Sequence, residues 1–267
     1  MDNRPIGIFD SGVGGLTVVK EVIEELPNEK IIYFGDTARV PYGSKSKDTV
    51  TKFSKQIIRY LLTKNVKAII IACNTASSNS LEEVQKEFDI PIIGVVEPGV
   101  SMACKATKSN KVGIIGTEST IRSSAYNKMI KEQNENISVI GKACPLFVPL
   151  VEEGWFEEDV TLQIVTKYLN IFKKQTIDTL VLGCTHYPLI ANVIQKAIGN
   201  EVTLVNPAKE CSKALKRILN DMEMNSENQK DENEFYVSDR VESFERLAKM
   251  ILEKPLMAIE QINIEEY

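Results

Sequence analysis

Short apolar runs alternate with amphipathic stretches along almost the whole of this 267-residue chain. The runs PIGIF, KIIYF, KAIII, IPIIGVV, KVGII, ISVIG, DTLVLG and EVTLV have the length and β-branched content of buried strands. Between the second and third runs, Val50, Phe53, Ile57, Ile58, Leu61 and Leu62 recur at three, four and seven positions. That spacing predicts one helix with this face packed on a sheet. Strands separated by helices build parallel βαβ units. The expected fold is therefore α/β, with two pseudo-symmetric α/β domains of mainly parallel sheets facing a central cleft.

The two halves come from a weak internal repeat. Setting IGIFDSGVGGL, from Ile6, beside VGIIGTESTI, from Val112, aligns Ser11 with Thr117 at an offset of 106 residues. Two cysteine motifs, AIIIACNTAS and TLVLGCTHYP, place Cys73 and Cys184 at a similar offset of 111. Pro98 with Gly99, and later Pro207, punctuate the chain and suggest where the second half begins and ends. Beyond them lie the polar stretch NSENQKDENE, expected as a solvated loop, a strand EFYVS and a helix rich in Phe244, Leu247, Met250 and Ile251. This tail is expected to return to the first domain, giving 1–97 plus 207–267 as a discontinuous first domain and 98–206 as the second.

Composition narrows the class. With 43% hydrophobic and 26% charged residues and a net charge of -5, the chain has an ordinary globular make-up and no basic stripe, so neither nucleic acid nor an anionic membrane surface is an expected partner. Its apolar runs are strand-sized, too short to span a bilayer. The start MDNRPIGIFDSG lacks a basic region followed by a long apolar segment, so a cytoplasmic location is expected. Five irregularly spaced cysteines suit free thiols in a reducing compartment. Cys104, Cys144 and Cys211 read as small buried hydrophobes. With no CxxC pair and His186 as the only histidine, no metal site is expected.

The chemistry concentrates where strand-like runs break. Cys73 and Cys184 each follow such a run, at the carboxyl end of a strand, where loops converge on a crevice. Two thiols on opposite walls could remove a proton from one face of a carbon and return one to the other, inverting a stereocentre. A thiol is a base only as thiolate, and a helix N-terminus can lower its pKa. Asn74 and Thr75 are capping types after Cys73, and Pro188 suits the first turn after Cys184. The FDSGVGG loop could cradle a phosphate through Gly12, Gly14 and Gly15, or only make a tight turn; it lacks a P-loop lysine, and Thr17 breaks GxGxxG. Asp10 and Ser11 could bind an ammonium group or orient a thiol. In VPYGSKS, Pro41, Tyr42 and Gly43 could present backbone amides to a carboxylate or form a plain turn. Glu152 and Glu153 could lie on a solvated helix end, and His186 could modulate Cys184.

Together, GIFDSGVGGL, FGDTARVPYG, ACNTAS, PLVEEGW and GCTHYPL resemble, in order and spacing over essentially the full length, the glutamate racemases of the cofactor-independent aspartate/glutamate racemase superfamily. The resemblance implies a two-domain α/β fold and interconversion of L- and D-glutamate for cell-wall peptidoglycan, with no cofactor. It implies that Cys73 and Cys184 are the proton donors and acceptors, and that Asp10, Glu152 and His186 tune or orient them. Ser11, Tyr42, Gly43, Asn74, Thr75, Thr117, Thr120 and Thr185, with Asp10 and His186, would line the amino-acid site. Glutamate is the small-molecule partner expected, and a homodimer stays open. The competing readings are a racemase of aspartate or another amino acid, a hydrolase with Cys184 as nucleophile and His186 as base, and a binding protein with the same cleft.

Overall fold

A computed structural model describes residues 1–227, 232–253 and 258–267. The strands are β1 (Ile6–Asp10), β2 (Ile31–Gly35), β3 (Ala68–Ile71), β4 (Ile92–Gly94), β5 (Lys111–Gly116), β6 (Ser138–Ala143), β7 (Thr179–Gly183), β8 (Thr203–Val205), β9 (Glu234–Val237) and β10 (Ile259–Gln261). The helices are α1 (Leu16–Glu25), α2 (Lys47–Thr63), α3 (Asn74–Glu87), α4 (Val96–Ala106), α5 (Glu118–Ser123), α6 (Ala125–Gln133), α7 (Phe147–Glu152), α8 (Asp159–Lys173), α9 (Ala191–Ile198), α10 (Pro207–Asp221) and α11 (Val241–Leu252). Short 3-10 turns cover Tyr42–Ser44, Tyr187–Ile190 and Ile264–Glu266.

Two sheets form, ordered β10-β9-β2-β1-β3-β4 and β6-β5-β7-β8, and neighbouring strands pair in parallel. The arrangement β2-β1-β3-β4 recurs as β6-β5-β7-β8, which is the internal repeat seen as topology. Successive residues of a strand point to opposite faces. Ile6, Ile8, Tyr33 and Ile70 accordingly pack under α1, α10 and α11, while Phe9, Phe34, Ile69 and Ile71 pack under α2 and α3. The second sheet is likewise apolar on both faces, with Leu180 and Leu182 on one and Val181 on the other. Burial on both faces explains why these strands read as continuous apolar runs.

The tail does pair with the first sheet, through β9 on β2, and α10 packs on α1 and α4. Two expectations are corrected. Pro98 and Gly99 do not break the chain; they lie in the first turns of α4, where a proline costs no helical hydrogen bond. Leu62 is 39% exposed, because the buried stripe of α2 runs through Val50, Ser54, Ile57, Ile58 and Leu61, and the next residue is turned about 100° away. Met250 is exposed for the same reason, one position off the Phe244–Leu247–Ile251 stripe. Cys144 and Cys211 are buried and Cys104 is half-buried. The expected loop over NSENQKDENE includes 228–231, outside the described residues. Among the described residues no helix is long and apolar enough to cross a membrane.

Candidate active site

The carboxyl ends of the two sheets meet. Cys73 follows β3 as the N-cap of α3, with extended backbone (φ -64°, ψ 116°), so Asn74 and Thr75 are the first residues of the helix and not its caps. The Sγ of Cys73 lies 3.7 Å from Ser11 Oγ, and the N–H of Ala76 is directed at it. The helix N-terminus is therefore present, yet the thiol is not activated as expected. Burial pushes Cys73 up, the Asp10 carboxylate adds to the push, and the Ala76 and Ser11 donors do not offset it, leaving the thiol at about 12.

Cys184 follows β7 in the equivalent place. Its Sγ is 3.8 Å from His186 Nδ1, and His186 Nε2 is 3.3 Å from Glu152 Oε1 at the end of α7. Burial works against charge on His186, but the sulfur of Cys184 and the carboxylate of Glu152 outweigh it, raising the imidazole to about 10. The ring thus sits between a thiol and a carboxylate that both favour its protonated form. Asp10 ties the halves together: its Oδ2 accepts from the Gly12 N–H at 3.0 Å and its Oδ1 from the Thr185 hydroxyl at 3.3 Å. Burial raises Asp10 above the usual carboxylate range, against these donors and His186. The glycine loop has a packing reason: a Cβ on Gly14 would stand 2.5 Å from His186 Nδ1 and from Thr185 Oγ1.

Hydroxyls line the remaining wall. The Oγ1 atoms of Thr75 and Thr117 are 2.8 Å apart, Thr117 and Thr120 are 3.0 Å apart, and Thr75 and Thr120 are 3.3 Å apart. Thr117 also caps α5, accepting from the Thr120 N–H at 3.2 Å. Tyr126 donates its hydroxyl to Asn74 Oδ1 at 2.7 Å, which leaves the Asn74 amide nitrogen as the donor end. The Tyr42 hydroxyl points away from any ligand role, because it donates to Asp36.

One small cavity joins these parts. Cys73, Cys184, Ser11, Tyr42, Gly43, Asn74, Thr75, Thr117, Thr185 and His186 line it. Asp10, Glu152 and Thr120 stand behind it, each touching a lining residue. Pro41, of the VPYGSKS loop, also lines the cavity, as do Val40 and Val148, which the sequence does not single out. Val40 and Val148 are apolar and carry no polar signal in the sequence. Among the described residues no cluster of three His, Cys, Asp or Glu is placed to hold a metal ion.

A family profile described as Asp/Glu/Hydantoin racemase matches residues 6–214. The glutamate racemase of Geobacter metallireducens is 48% identical over 263 residues, covering 98% of this chain and 97% of that one. Two solved structures superpose along nearly the full length. One is a Francisella tularensis glutamate racemase in complex with D-glutamate, 42% identical with a TM-score of 0.94 and 100% of both chains covered. The other is a Bacillus anthracis glutamate racemase isoform, 38% identical with a TM-score of 0.95 and 98% of both chains covered. By this match, this chain belongs to the Asp/Glu/hydantoin racemase family.

Proposed function

We propose that this protein interconverts L- and D-glutamate in the cytoplasm, supplying the D-enantiomer for peptidoglycan. The observation that carries the reading is the placement of Cys73 and Cys184, from topologically equivalent strand ends, on one small cavity. The likeness to a glutamate racemase holding D-glutamate supports the substrate. The pairing of β9 with β2 supports the return of the tail to the first domain, and so a discontinuous first domain beside a second one.

In this mechanism one cysteine, as thiolate, takes the Cα proton, and the electron pair of the broken C–H bond passes into the substrate carboxylate as an enediolate-like species. The other cysteine, as thiol, then delivers its proton to the opposite face of Cα. The two sulfurs have exchanged protonation states, so the free enzyme exists in two forms, one for each enantiomer. The Cα proton is a very weak acid, so the developing charge must meet oriented donors. The Asn74 amide, the threonine hydroxyls and the first-turn amides of α3 supply them. Asp10, Glu152 and His186 set the charge around the thiols.

The test is racemisation in heavy water with no added cofactor. Each enantiomer of glutamate should lose optical rotation, with deuterium entering the product enantiomer well before the recovered substrate. Early exchange into both alike would indicate a single base. Cys73→Ala and Cys184→Ala should each abolish turnover while remaining folded. Activity on aspartate but not glutamate would overturn the substrate assignment, and a covalent acyl-enzyme on Cys184 by mass spectrometry would select the hydrolase.

A further inference from the structure

We propose that Asp36, which lies outside the cavity, is a positioning residue for the Pro41–Gly43 edge of the glutamate site, acting through Tyr42 and Arg39. The inference rests on the racemase reading above. Asp36 follows β2, its N–H donates to the Asp10 carbonyl at 3.0 Å, and its carboxylate is fully buried. A buried carboxylate is strongly unfavourable unless donors surround it. Here the donors come from three segments. Tyr42 gives its hydroxyl to Oδ2, Arg39 gives Nε to Oδ2 at 2.8 Å and to Oδ1 at 3.1 Å, and Ser238 gives its hydroxyl to Oδ1 at 2.8 Å.

Each donor is itself held. Arg39 reaches Gln56 Oε1 at 2.7 Å and stacks 4.1 Å over the Phe53 ring, which in turn packs against Tyr42 with ring centroids 5.5 Å apart. Ser238 Oγ accepts the Ala38 N–H at 2.8 Å, tying the 36–39 turn to the returning tail. Tyr42 is 1% exposed and its hydroxyl is tied to Asp36, so its ring serves as an anchor for the Tyr42–Gly43 segment that lines the cavity. Asp36 is thus the common acceptor of a closed circuit whose free product is the placement of that edge.

The test compares wild type with Asp36→Asn, Tyr42→Phe and the double variant by steady-state kinetics and by hydrogen exchange across residues 40–45. A charge-assisted hydrogen bond removed from a binding edge is expected to raise KM for both enantiomers about tenfold, with kcat within about twofold. The double variant should be no worse than the poorer single one, because both changes break the same contact. Exchange over 40–45 should quicken while the segment around Cys184 is unchanged. A loss confined to kcat, an additive double variant or unaltered exchange would overturn the assignment, since a merely structural role lowers the active fraction without moving KM. If Asp36→Asn does not fold, Ser238→Ala removes one donor and must shift KM and exchange in the same sense, though less; no shift in either rejects the proposal. Should wild type fail to racemise glutamate, the racemase reading fails, and exchange over 40–45 alone then decides for or against Asp36.

Discussion

Gly43 of the first half approaches Thr117 of the second so closely that a Cβ added to the glycine would meet the Thr117 Cβ at 2.7 Å. The threonine cannot turn aside, because its hydroxyl is engaged with Thr75 and Thr120 and caps α5. Gly43→Ala should therefore hold the two walls apart at one edge of the cavity. Loops at such an edge tolerate small movements without unfolding. The expected outcome is a loss of kcat/KM for glutamate of about a hundredfold, as a misplacement of about 1 Å can cause, with an almost unchanged unfolding midpoint. Near-normal turnover would show that this contact does not set the cleft.

His186 and Glu152 give the protein a pH signature. An unfolded histidine has a pKa near 6.5, and the folded state raises it to about 10. The stabilisation linked to this proton is then complete below about pH 6.5 and is lost as pH rises through about 10. Glu152→Gln should lower the unfolding midpoint at about pH 6 by a few degrees and leave it nearly unchanged at about pH 10. The Glu152 side chain is 33% exposed, so solvent screening keeps the effect modest. A midpoint difference independent of pH would mean that His186 is not charged in the folded state.

Much of this architecture is written locally. Strands buried on both faces announce themselves as apolar runs, and the two cysteines stand out because each interrupts such a run at its carboxyl end. What is carried by distant partners is silent. Asp36 meets Ser238 across 202 residues, a contact that exists only because β9 pairs with β2. β10 was missed because three residues, Ile259 to Gln261, at the edge of a sheet bury too little to leave a pattern. Leu62 shows the opposite failure: an apolar residue beside a buried stripe is indistinguishable from a member of it until the helix is placed.

Lys67 and Glu29 form an ion pair at 2.6 Å with side chains 0% and 2% exposed. The ammonium also donates to the carbonyls of Asp2 and Met224, both at 2.6 Å, and Glu29 accepts from the Ser226 N–H at 2.8 Å. The pair therefore clamps the start of the chain and the segment after α10 to the foot of β3. Lys67→Met should destabilise the fold by about 3–5 kcal/mol, because it leaves a buried carboxylate without its counter-charge. Lys67→Met combined with Glu29→Leu should recover most of that loss. Urea unfolding of the three proteins decides it, and a single variant as stable as wild type would refute the clamp.

The Cys73 thiol should resist alkylation before any substrate arrives. Cys73, at about 12, would be thiolate in about one molecule in ten thousand at pH 8. Part of that resistance is the negative charge of Asp10, the cause second to burial. Asp10→Asn removes the charge, while the amide oxygen can still accept from Gly12 or Thr185. Alkylation of Cys73 by iodoacetamide, followed by peptide mass spectrometry over a range of pH, should then quicken about tenfold at pH 8. Its inflection should also move to lower pH, which a change in access alone would not produce. Alkylation of Cys184, which faces His186, should respond less. An unmoved Cys73 inflection would mean that Asp10 is already neutral in the folded protein and that burial alone holds the Cys73 thiol up.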